Sequence, residues 1–137
     1  MRAERIRLQG IDCPEKGQAY GNRAKGATSD LTFAQIVTVE SHGQDKYKRT
    51  IGDVFLSDGT NVNRELVAQG WCWWYRKYAP EDLVLGGLEA AARLAKKGLW
   101  ADPSPIPPWE YRKARGGTTA VLLRLIPHPL YPIIDFP

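Results

Sequence analysis

A chain of 137 residues fits one compact domain and is too short for two independent cores of ordinary size. Its 43% hydrophobic and 25% charged content is that of an ordinary globular protein, and no apolar run reaches the about 20 residues of a membrane-spanning helix, so no membrane partner is expected. A net charge of +4 favours an anionic partner without naming one. The start, Met1-Arg-Ala-Glu-Arg5, has no apolar secretory core, so export is unsupported. Two cysteines, Cys13 and Cys72, and two histidines, His42 and His128, form no Cys-x-x-Cys pair or other metal-ligand spacing, which argues against a zinc or iron-sulfur site. Whether the two thiols pair depends on their separation in space and on the redox compartment, and the spacing decides neither.

Along the chain, Arg5 to Ile11 alternates Arg5, Arg7 and Gln9 with Ile6, Leu8 and Ile11, the period of a strand with one buried face and its basic residues on the other. Asp12-Cys-Pro-Glu15 reads as a turn. Tyr20, Ala24, Ala27, Leu31 and Ala34 recur at helical spacing and predict a helix over 18–34. Ile36 to Glu40 and Ile51 to Leu56 predict a hairpin with a turn at Gly43 and Gln44. Val62 to Gln69 is a short amphipathic helix capped by Asn61 or Asn63 and stopped by Gly70. Leu88, Ala91, Ala92, Ala95 and Leu99 mark a last helix, weakened near its start by Gly86 and Gly87. Pro103, Pro105, Pro107 and Pro108 predict an extended arm lying on the domain, and Thr118 to Ile126 reads as strand-like. The order of elements suits a small α+β domain built on a barrel or curled sheet, with residues 1–113 as the domain and 114–137 as a tail.

The residues able to carry chemistry are Arg7, Asp12, Glu15 and Arg49: two carboxylates across the rigid Pro14 turn and two arginines on neighbouring predicted strands. Phosphodiester hydrolysis needs a group to orient or deprotonate water, a hard cation on oxygen ligands, and fixed positive charge at the phosphorus. Arginine suits the last task because its planar fork bonds two phosphate oxygens together. By spacing alone, the better reading of the same residues is a turn and helix start paired with surface arginines.

Resemblance separates these readings. Arg7-Leu-Gln-Gly-Ile-Asp12-Cys-Pro-Glu15 resembles the Arg-x-x-x-x-Asp-x-Pro-Glu segment of the staphylococcal nuclease (thermonuclease) family, and Asp45-Lys-Tyr-Lys-Arg49 resembles its Asp-Lys-Tyr-Gly-Arg segment. Asn61 to Gly70 and Ala95 to Trp100 are similar to later segments, so the likeness spans about residues 4–113. It implies an OB-fold, a five-stranded barrel with packed helices, and a calcium-dependent endonuclease that cleaves DNA or RNA with little sequence specificity and leaves 3'-phosphates. It also implies roles. Arg7 and Arg49 match the transition-state arginines, Glu15 the base or water-orienting glutamate, Asp12 a calcium ligand, and Cys13 the residue whose carbonyl coordinates the metal.

Family members begin with two further strands whose turn carries another calcium aspartate, so an N-terminally incomplete barrel and a weakened metal site are expected. Its open edge would take Thr118 to Leu125 or a second chain, which makes an oligomer conceivable. Lys48 stands where the family has glycine. Lys46 and Tyr47, with Tyr75, are candidate contacts to a nucleic-acid partner, preferably single-stranded. Trp71, Trp73 and Trp74 read as core, and Trp100, Trp109 and Tyr111 as clamps on the proline arm. The competing function is a nucleic-acid or protein binding module that no longer catalyses.

Overall fold

The structure is a computed structural model that describes residues 4–115 together with 134–135. The expected first strand divides in two, β1 (Ile6–Leu8) and β2 (Ile11–Asp12). The break falls at Gly10, whose φ of 77° belongs to the left-handed region where a side chain is strained. A side chain there would also press on Leu85. The expected outward basic face does not form at this point, because Ile6, Arg7 and Leu8 are all buried.

Helix α1 (Gly21–Thr32) is shorter than the 18–34 expected, because residues 18–20 form a turn and Tyr20 takes φ 68°. The hairpin is longer than expected. Strand β3 (Thr38–Gln44) runs through Gly43 and Gln44 by way of a bulge between Ser41 and Gln44, and pairs antiparallel with β4 (Thr50–Phe55). The turn therefore moves to 45–49. Strand β4 then pairs in parallel with β1, placing Ile6 beside Thr50 and Arg7 beside Ile51.

Helix α2 (Val62–Ala68) is capped by Asn61, whose side chain accepts from the Arg64 N–H at 3.0 Å. Asn63, the other candidate cap, is buried instead. Its amide donates to the Gln9 carbonyl at 3.0 Å and the Gly52 carbonyl at 3.1 Å and accepts from the Val54 N–H at 3.2 Å, tying α2 to β1 and β4. Strand β5 (Trp73–Trp74) pairs antiparallel with β2, Asp12 lying opposite Trp73. Helix α3 (Leu83–Leu94) follows, capped by Asp82. Gly86 within it has a packing reason, since a Cβ there would lie 3.0 Å from the Trp74 indole. The periodicity that pointed on to Leu99 ends in a 3-10 turn, Gly98–Ala101.

The proline arm leads into a helix not expected from the sequence, α4, over 108–115. Its start is physically ordinary: Pro108 occupies the first turn, where an amide N–H has no helical acceptor. Strand β6 (Ile134–Asp135) lies on the free edge of β1, with Ile134 opposite Ile6 and Asp135 opposite Arg7. The expected edge segment, 118–125, lies outside the described residues, as does most of the 114–137 tail.

The architecture is α+β. Among the described residues the strands form an open sheet in the order β3-β4-β1-β6 and a separate β2-β5 pair, and no ladder joins the two into a closed barrel. The main core gathers Ile6, Leu8, Ile11, Val54, Val62, Leu66, Val67 and Leu85. It includes a disulfide between Cys13 and Cys72, which fastens the turn after β2 to the approach to β5. A second cluster of Trp73, Ala92, Leu99 and Trp100 carries Tyr20 and Trp109 against it, while Trp71 and Trp74, read as core, are only partly buried against the first. Among the described residues no helix is long and apolar enough to cross a membrane.

Candidate active site

The turn after β2 is held from three sides. Pro14 stiffens it, the Glu15 N–H donates to the Gln18 side chain at 3.0 Å, and the Gln18 amide donates to the Ile106 carbonyl of the arm at 2.7 Å. A side chain at Gly21 would collide with the Glu15 carbonyl oxygen, so glycine lets α1 start close against the turn. The result is two carboxylates, Asp12 and Glu15, brought together as expected.

Both contact a residue that the sequence reading missed. Arg112 on α4 donates through Nη1 to Asp12 Oδ1 and to Glu15 Oε1, each at 3.0 Å, and through Nη2 to Asp12 Oδ2 at 2.7 Å. This is a two-pronged charge-assisted contact with a wholly buried aspartate; the Arg112 side chain is 32% exposed and Glu15 22%. Burial pushes both carboxyls above the ordinary carboxylate range, with Arg112 opposing it. The signal lay in the sequence: Trp109 and Arg112, three apart, share one face of any helix begun by Pro107-Pro108.

Arg7 is also buried, and burial pulls its guanidinium below the usual arginine range, with Asp12 opposing that shift and Arg49 and Arg112 adding to it. Its Nη1 donates to the Leu8 carbonyl at 3.3 Å and to the Ile11 carbonyl at 3.5 Å, and its charge lies 5.4 Å from the Tyr78 ring centre and 5.8 Å from that of Tyr75. Because β1 and β4 are neighbours, Arg49, just before β4, reaches the same end of the sheet. Its Nε donates to Asp45 Oδ2 at 2.7 Å and its backbone N–H to Asp45 Oδ1 at 2.9 Å.

Asp45 is thus the anchor of the 45–49 turn. Burial pushes its carboxyl up, but the Arg49 N–H, the Arg49 side chain and the Tyr47 N–H outweigh that and hold it below the ordinary aspartate range. A carboxyl whose pKa is lower folded than unfolded stabilises the fold above its unfolded value of about 4, and that contribution disappears as pH falls through the folded value. The stability gap between the wild type and Asp45→Asn is expected to be full at neutral pH and to close below pH about 4, as measured by urea midpoints. A gap that widens in acid contradicts this role.

Within the turn, Lys46 Nζ sits 5.2 Å and the Arg49 guanidinium 5.7 Å from the centre of the Tyr47 ring, which is 61% exposed. Lys48 takes φ 64°, a backbone state that costs a non-glycine residue about 1–2 kcal/mol and accounts for glycine in the resembling segment. Tyr75 is placed differently from expectation. It is buried, stacked on Trp109 at 5.3 Å and edge-on to Tyr78 at 4.8 Å, so its ring is already used in packing. The exposed ring beside Arg7 is Tyr78, at 57%. On the hairpin, Glu40, His42 and Asp53 bring one ligand atom each within 4.8 Å of one another, a group able to hold a metal.

The family described as "Staphylococcal nuclease homologue" matches residues 5–102, a span holding Arg7, Asp12, Glu15 and Arg49. The chain belongs to the staphylococcal nuclease family. It is 40% identical over 124 residues to a Shigella flexneri protein named micrococcal nuclease, covering 84% of this chain and 71% of that one. An Escherichia coli O157:H7 protein named as an uncharacterized endonuclease is 43% identical over 111 residues, covering 81% and 72%. A probable staphylococcal-like nuclease of Oryza sativa subsp. japonica is 37% identical over 118 residues, covering 85% of this chain and 34% of its own. Family membership accounts for the motif order around the site, while Arg112 lies beyond the matched span.

Proposed function

We propose that this domain is a calcium-dependent endonuclease that hydrolyses phosphodiester bonds of DNA and RNA with little sequence specificity. The observation that carries the reading is that buried Arg7 lies within electrostatic reach of both Asp12 and Arg49, while buried Asp12 and half-buried Glu15 share one contact. The nuclease names of the relatives support it.

The donor set fits a hard cation, because Asp12 Oδ1 and Glu15 Oε1 already share one positively charged nitrogen at 3.0 Å from each. Asp12 and the Cys13 carbonyl would hold calcium, which when bound supplies positive charge to neutralise the phosphate. Glu15 orients a water or takes its proton. Burial pushes its carboxyl above the ordinary glutamate range, which strengthens it as a base. Arg7 and Arg49 bond the phosphate oxygens as negative charge builds on them, with Arg49 also near the leaving 5'-oxygen, so that a 3'-phosphate remains. Lys46 and Tyr47 hold a single strand, and Tyr78 is the ring on which a base stacks, Tyr75 being buried behind it. These groups would see phosphate and ring faces rather than base edges, so little sequence specificity is expected. The same reading takes the fold as an OB-type barrel within residues 1–113, with tail strand β6 lying on the β1 edge.

A specific observation favours a second reading. Arg112 engages both carboxylates, as it would in a binding module whose acidic pair had become structural. Incubation of the protein with single-stranded DNA, with calcium and then with chelator, separates the two. A nuclease cuts only with calcium; salt-sensitive binding without cutting sinks the catalytic reading.

A further inference from the structure

We infer that Arg112 is a built-in competitor for the divalent cation, a guanidinium latch that closes the carboxylate pair until a metal displaces it. The inference rests on the metal reading above and adds a regulatory element to it. Three contacts of 2.7–3.0 Å commit both oxygens of Asp12 and one of Glu15 to Arg112. Asp12 has no exposure to solvent, so its charge is balanced by the cations packed against it, and Arg112 holds the two oxygens a metal would need. A guanidinium bonded through two prongs and a divalent ion on the same oxygens would repel one another at contact distance, with Arg7 adding a further positive charge nearby. The two occupants therefore exclude each other.

The latch has a fixed base and a movable tip. Its base is α4, where Trp109 stacks on Tyr75 and meets Trp73 edge-on at 5.4 Å, while Gln18 holds the preceding arm. Its tip is a long side chain that is 32% exposed, so it can leave the carboxylates toward solvent while the helix stays seated. A released guanidinium beside the site has an obvious next partner in the phosphate of a bound strand, which would tie opening to the presence of both metal and substrate. Arg112 lies beyond residues 5–102, so the latch belongs to the segment that follows the family's common span.

The test is calcium binding by calorimetry to the full chain, its Arg112→Gln and Arg112→Lys variants, and Asp12→Asn. A latch that is shut about nine-tenths of the time lowers apparent affinity about tenfold. Arg112→Gln is expected to bind calcium about tenfold more tightly or better. Arg112→Lys, which keeps the charge but not the fork, is expected to tighten binding by less, and it carries the test if the glutamine variant fails to fold. Calcium should also raise the thermal midpoint of Arg112→Gln more than that of the wild type, because the ion replaces the lost partner of Asp12. Equal or weaker calcium binding in both variants, with binding lost in Asp12→Asn, overturns the latch and leaves the metal reading intact. No calcium binding in any of the proteins overturns both.

Discussion

Lysine in place of Arg7 or of Arg49 is expected to lower turnover on single-stranded DNA by about 10²–10³-fold, the usual effect of removing one donor aimed at developing charge. KM should change little, since a lysine still supplies a positive charge for ground-state binding; what it lacks is the planar fork that grips two oxygens of the transition state. Neither change should unfold the protein. The contacts of Arg7 to the Leu8 and Ile11 carbonyls, at 3.3 and 3.5 Å, are long, and its aromatic neighbours accept an ammonium as well. Arg49 gives up one bond to Asp45 from its side chain but keeps the 2.9 Å bond from its backbone. Turnover within a factor of about three of the wild type in either variant would remove that arginine from the chemistry.

Loss of the Cys13–Cys72 disulfide is expected to have the largest effect on stability. The bridge spans 59 residues, including α1, the hairpin and α2, and a loop of that length restricts the unfolded chain by about 4 kcal/mol. Both cysteines are buried, at 1% and 0% exposure, so a reductant should act on them only when the protein opens. The paired Cys13→Ser, Cys72→Ser variant should therefore denature at much lower urea than the wild type. Turnover should fall as well, because Cys13 follows Asp12 directly and the bridge fixes the turn that holds both carboxylates. An unchanged urea midpoint would show that the core and the Asn63 network hold the turn without the bridge.

Much of the candidate site was legible because its residues lie in short segments whose local spacing can be read directly. Arg7, Asp12 and Glu15 fall within nine residues around one proline turn, and Arg49 ends a second segment five residues long. What escaped notice depends on distant parts of the chain meeting. Arg112 reaches Asp12 across 100 residues, by way of a helix hidden behind prolines that read as an extended arm. The disulfide could not be decided before its two sulfurs were placed. Tyr75 and Tyr78 are three apart, and only packing reveals that one lies beneath Trp109 and the other faces out. Elements went astray where a single residue overrode a pattern: Gly10 cut the first strand, and the bulge after Ser41 carried β3 through a glycine that had read as a turn. Lys48 holds a left-handed turn that its residue type does not favour, so propensity alone misplaced it.

Glu15 is where the catalytic account can be tested most directly, since glutamine there preserves shape and hydrogen bonding but cannot take a proton. Cleavage of single-stranded DNA by the wild type and by Glu15→Gln should be measured side by side, with calcium and with chelator. The account predicts cutting by the wild type that chelator abolishes, and cutting by Glu15→Gln lowered by at least about 10²-fold with DNA binding retained. Equal calcium-dependent rates in the two proteins would contradict it.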